Sequence, residues 1–135
     1  MRAVEDPALV AHLAQAGVVL DVCPTSNVRT GLAPSVAAHP IRAFHEAGVR
    51  VTVSSDDPLP FATTVTTELA HFHRDLGFSL PDLGRFMVTA ATHSFQPAPA
   101  RSTLVRTLQD AWPGSGRILF LARGCAWRAS RLRSG

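Results

Sequence analysis

At 135 residues with 46% hydrophobic content, the chain has the length and apolar fraction of one compact domain with its own core. No apolar run approaches the roughly 20 residues of a spanning helix, no signal-peptide pattern opens the chain, and Cys23 and Cys125 lie in contexts too unlike for a disulfide framework, so no membrane partner is expected and the cytoplasm is the expected compartment. The net charge of +3 is uneven: residues 1–100 hold six arginines against nine acids, whereas residues 101–135 hold seven arginines against Asp110 alone.

Asp6-Pro7 followed by Ala8, Leu9, Val10, Leu13 and Ala14 predicts a first helix, which Gly17 ends. Residues 18–22 read as a strand apolar enough to be covered on both faces. Cys23-Pro24-Thr25-Ser26-Asn27 breaks that strand with loop residues, and the loop is expected to run to about His39. A helix is predicted over 40–47, closed by Gly48, and a second strand over 49–54. An acidic loop follows, then a helix from about Thr64 to Leu76. Ser79 with Asp82 three residues on predicts an N-capped helix over 80–93. A last helix is predicted over 100–111.

Helix, strand, helix, strand, helix is the order of a parallel α/β architecture. Ligand sites in such folds form at the carboxyl ends of strands. Both polar clusters, Cys23 to Asn27 and Ser54 to Asp57, fall where a strand ends. Two strands leave edges and a face unsatisfied, so the architecture reads as a piece of something larger.

Asp56 and Asp57 sit side by side after the more apolar strand. If the segment is extended, successive side chains point to opposite sides, and the pair cannot easily grip one ion together. Two roles fit that geometry: a cation for one carboxylate and a hydrogen bond to a polar substrate for the other. The plain alternative is that one or both cap the next helix or lie solvated in a turn.

"VCPTSNVRTGL" at 22–32, "HPIRAFHEAGVRVTVSSDDP" at 39–58 and "FATTVTTEL" at 61–69 together resemble the C-terminal part of adenosine deaminases. The likeness covers residues 1 to about 113. It implies a C-terminal fragment of a TIM-type (β/α)8 barrel, made of its last two strands with flanking helices. It also implies one zinc ion as cofactor, activating the water that displaces ammonia from C6 of a purine. By resemblance Asp56 is the zinc-ligating aspartate and Asp57 the substrate-binding residue on a purine ring nitrogen. The family's His-x-His zinc pair, third zinc histidine, proton-donating glutamate and water-orienting histidine have no matching positions. No catalytic residue is therefore carried over, only the metal ligand Asp56 and the substrate-binding Asp57, and the isolated chain is expected to lack deaminase activity.

The expected partner is a small-molecule purine nucleoside, with another chain as a source of the missing strands. Adenine is the competing substrate; Thr63-Thr64 after Phe61 leans toward the nucleoside. A non-enzymatic remnant or binding module with a basic tail is the reading from a different class. The domain is expected to span 1–113, with 114–135 a divergent, disordered Arg-rich tail. No aromatic platform accompanies those arginines, so nucleic acid is not an expected partner. His71-Phe72-His73 imitates a zinc pair, but residues i and i+2 diverge by about 200° on a helix. His39, His45 and His93 read as capping or packing residues, and Cys23 as packing.

Overall fold

The computed structural model describes residues 2–112. Asp6 accepts from the backbone N–H groups of Ala8 and Leu9 and starts helix α1, Pro7–Gln15, after a 3-10 turn at Arg2–Glu5. Strand β1, Val19–Val22, leads into α2, Pro24–Arg29. Helix α3, Ile41–Glu46, leads into strand β2, Arg50–Val53. A short α4, Pro58–Phe61, precedes α5, Val65–Arg74, α6, Leu80–Thr92, and α7, Ala98–Ala111. None of these helices is long and apolar enough to cross a membrane.

The strands pair in parallel, Val19 opposite Arg50 through Val22 opposite Val53. One face of this sheet supplies Val22, Val51 and Val53 to the core, where they meet Ile41 and Phe44 of α3, Phe72 of α5, and Phe78, Leu83 and Phe86. The rings of Phe72, Phe78 and Phe86 stand 5.1–5.5 Å apart, two of the three contacts edge to face. That arrangement adds about 0.5–1.5 kcal/mol per pair beyond the area buried. Arg42 of α3 lies 4.8 Å over the Phe78 ring and donates to the Leu76 carbonyl, tying the end of α5 to α3.

The expected helices stand, with ends shifted by a residue or two. Ser79 and Asp82 form the predicted capping box at the head of α6. Two segments read as loop are helical. Pro24 and Pro58 each occupy the first turn of a helix, where a missing N–H costs nothing and the fixed φ is already helical. The tail expected at 114–135 lies outside the described residues.

Helix α7 packs on α6 through Trp112, whose indole N–H donates to the Leu80 carbonyl at 2.6 Å. The space it fills exists because residue 84 has no side chain: a Cβ there would stand 2.0 Å from the indole. Gly84→Ala gains up to about 1 kcal/mol of helix propensity but forces overpacking that costs about 1–3 kcal/mol. The expected outcome is a lower midpoint of urea unfolding. An unchanged or raised midpoint contradicts this packing of Trp112 on α6.

Candidate active site

The two strands end side by side. The Ser54 N–H donates to the Val22 carbonyl at 3.0 Å, carrying the ladder one residue past β2. The chain then turns sharply: Asp56 has φ of +56°. That region disfavours side chains, though Asp enters it more readily than most. Two contacts hold the turn. The Asp56 N–H donates to Ser54 Oγ at 3.3 Å, and Ser26 Oγ donates to Asp56 Oδ2 at 2.7 Å. Asp57 is extended, exposed and at the N-cap position of α4, yet its side chain makes no capping hydrogen bond. The two aspartates are held differently, Asp56 by hydroxyls and Asp57 by none. Because Asp56 is left-handed, the segment is not a continuous extended strand and strand alternation does not govern the pair.

Ser26 is fixed by α2, and α2 is fixed from a distance. Glu68 of α5 is fully buried. Its Oε2 accepts from the Thr25 N–H at 3.1 Å and its Oε1 from the Thr63 hydroxyl at 2.5 Å. A buried carboxylate is tolerated when hydrogen-bonded, and the first turn of a helix offers unpaired N–H groups and a favourable dipole. Thr64 meanwhile caps α5 by accepting from the Thr67 N–H. Both threonines of the Thr63-Thr64 pair thus serve the fold, and the pair gives no information about a ribose.

Asn27 completes the segment. Its side-chain oxygen accepts from His39 Nε2 at 3.0 Å, while His39 Nδ1 accepts from the Ile41 N–H at 3.2 Å. With Nδ1 accepting, the proton sits on Nε2 and the ring is neutral. Burial pushes the His39 pKa from 6.5 down to about 4, in agreement with that tautomer. The Cys23 thiol, at the head of α2, is pushed up by burial, which opposes thiolate chemistry.

Four other histidines are engaged singly. His71 Nδ1 meets Asp75 at 2.5 Å, and His73 Nδ1 meets the Phe78 carbonyl at 2.8 Å, so the two do not converge. His45 packs edge-on against Phe78 and Phe86, and His93 Nδ1 meets the Thr89 carbonyl. Among the described residues no three His, Cys, Asp or Glu side chains gather where a metal could sit. The chain's described donors do not by themselves make a zinc centre.

Sequence reasoning did not single out Ser26 or Glu68. For Glu68 a signal was present: Val65, Glu68, Phe72 and Leu76 follow helical spacing, which puts an acid on the apolar stripe. For Ser26 the signal depends on knowing that residues 24–29 are helical.

The sequence model of the family described as adenosine deaminase matches residues 1–111. The adenine deaminase of Rhizobium meliloti (strain 1021) is 44% identical over 108 residues, covering 80% of this chain and 33% of the relative. That of Agrobacterium fabrum is 40% identical over 111 residues, 82% and 34%. The solved adenine deaminase from Arthrobacter aurescens superposes with a TM-score of 0.76 at 30% identity, covering 81% of this chain and 33% of that one. A zinc-bound amidohydrolase from Burkholderia ambifaria shares the fold, with a TM-score of 0.69 at 23% identity, over 91% and 33%. The fold is accordingly a fragment of a TIM-type barrel, and the chain spans about a third of the length of the relatives it matches.

The neutral His39 gives stability a pH dependence. The unfolded chain binds a proton near pH 6.5 and the folded one only near 4, so stability falls as pH drops through that window. The urea midpoint is expected to decline from pH 7 to 4.5, and His39→Gln to flatten that decline. An equal decline in the variant contradicts the assignment.

Proposed function

The chain belongs to the adenosine deaminase family of hydrolases, and we propose that it is the strand-end portion of a hydrolytic deaminase acting on adenine. The observation that carries this reading is Asp56 itself. It is held in a strained turn at the carboxyl end of β2, with one carboxylate oxygen fixed by a buried serine. Backbone strain of this kind costs about 1–3 kcal/mol and clusters at functional positions.

In this reading Asp56 is one ligand of a zinc ion. Ser26 occupies Oδ2 and fixes the carboxylate's rotation, leaving Oδ1 for the cation. Zinc, when bound, supplies the Lewis acidity that makes water nucleophilic at neutral pH. Asp57 holds a ring nitrogen of the purine; its exposure and lack of a capping bond leave both oxygens available to a substrate. A zinc site of this type needs several protein ligands, so the other ligands come from outside the described residues. The chain alone is then without deaminase activity.

The choice of adenine over adenosine is supported by the names of the relatives that are 40–44% identical. The threonine pair that favoured the nucleoside is already engaged in the fold. The test is a chimera in which residues 7–111 replace the matching third of the Rhizobium meliloti enzyme. It is expected to release ammonia from adenine faster than from adenosine, and Asp56→Asn to reduce the rate at least 100-fold. The isolated chain with added zinc is expected to release none. A soluble, zinc-loaded chimera without turnover, or one indifferent to Asp56→Asn, contradicts the reading.

A further inference from the structure

Glu68 is the one buried acid among the described residues, and no step of the deamination uses it. Its two oxygens reach two different segments. Oε2 accepts from the N–H of Thr25, the residue before Ser26, whose hydroxyl holds Asp56. Oε1 accepts from the hydroxyl of Thr63, at the far end of the segment that Asp57 opens as the N-cap of α4. Helix α2 lies against both α4 and α5.

The arm through Thr63 carries the new information. Among the described residues only two that are not glycine have a positive φ, Asp56 at +56° and Ala62 at +47°. They bracket residues 57–61. A left-handed alanine costs about 1–2 kcal/mol and, unlike Asp, has no polar side chain to recover part of that cost. Such a residue persists where its surroundings over-determine it. Here the Ala62 N–H donates to the Leu59 carbonyl at 3.3 Å and the Thr63 N–H to the Pro58 carbonyl at 3.2 Å. The buried Thr63 then fastens that turn to Glu68 through its hydroxyl. A segment held at both ends and stiffened by Pro58 and Pro60 has little freedom. Asp57 makes no capping bond of its own, so its place depends on that hold.

We infer that Glu68 is a positioning residue for both aspartates, setting Asp56 through Thr25 and Ser26, and Asp57 through Thr63 and the left-handed Ala62. This rests on the deaminase reading above and adds the group that fixes the spacing of its two carboxylates. A carboxylate suits the task because both of its oxygens accept. Glutamine keeps both contacts: its oxygen accepts from the Thr25 N–H, and its amide donates to the Thr63 hydroxyl, which then accepts. Leucine continues the apolar stripe of α5 and keeps neither.

Three variants of the full chain, Glu68→Leu, Glu68→Gln and Thr63→Val, separate a brace from a residue that only fills the core. The readout is the nitrogen–proton correlation spectrum, in which the amides of Asp56 and Asp57 report their backbone. Glu68→Leu is expected to shift both more than it shifts Phe44 or Leu83 of the core. Thr63→Val is expected to shift Asp57 more than Asp56, and Glu68→Gln to leave both near their parent positions. In the chimera of the preceding subsection, Glu68→Leu is expected to weaken zinc retention against a chelator about 10–100-fold, and Glu68→Gln to recover most of that loss. Thr63→Val is expected to raise the KM for adenine about fivefold or more with zinc retention unchanged. A folded Glu68→Leu chain with both aspartates in place overturns the inference. So does a Thr63→Val chain in which Asp56 shifts as far as Asp57, or a Glu68→Gln variant no better than Glu68→Leu. Should Glu68→Leu fail to fold, Thr63→Val decides. A chimera without turnover counts against the deaminase reading alone, because the spectra of the full chain still test the brace.

Discussion

The buried carboxylate of Glu68 is the constraint on which the strand-end geometry depends. It accepts from a backbone N–H in the first turn of α2 and from the Thr63 hydroxyl that precedes α5. Removing it would leave the buried Thr63 hydroxyl unsatisfied, at about 1–3 kcal/mol, and the half-buried Thr25 N–H without its acceptor. Its larger effect is positional. Through Thr25 it sets where α2 begins, and so where Ser26 meets Asp56. Asn27, on the same helix, reaches His39 and ties the long connection before α3 to the same frame. Pro24, Thr25, Ser26 and Asn27 thus work as four anchors: a helix start, a link to Glu68, a link to Asp56 and a link to His39.

The frame explains how a strained residue persists. Asp56 adopts a left-handed conformation that a turn of unconstrained Asp-Asp-Pro would leave for others. The Ser54 and Ser26 hydroxyls hold its amide and its carboxylate, and Pro58 limits the chain immediately beyond. Beneath it, the phenylalanine cluster and the valines of β2 give the strand end a rigid base. The opposite side of the same sheet keeps its charges exposed. One face is therefore finished and the other is not, the expected condition of a third of a barrel described by itself.

Much of the fold was legible because the signals are local. Asp6, Thr64 and Ser79 each cap the helix that follows them, and the apolar residues after them keep helical spacing. The strands were legible from short apolar runs ended by polar clusters. Helix α2 was not, because it has six residues and no side-chain cap of its own; its first turn is held by an acid 43 residues away. The backbone between Asp56 and Asp57 was read as extended, whereas Asp56 takes a positive φ that no local pattern announces. Thr63 and Thr64 were read toward a substrate when their hydroxyls belong to Glu68 and to the head of α5. In each case the sequence shows the residue type, and only the tertiary partner shows its use.

Amide hydrogen exchange in Glu68→Ala tests the central claim most directly, because it reads the frame residue by residue. The account predicts that protection at Thr25, Asn27 and Asp56 collapses while Phe72 and Leu83 keep protection close to that of the shared core. Unchanged protection at Thr25 and Asp56, with the loss spread evenly over the core, would contradict a frame fastened by Glu68.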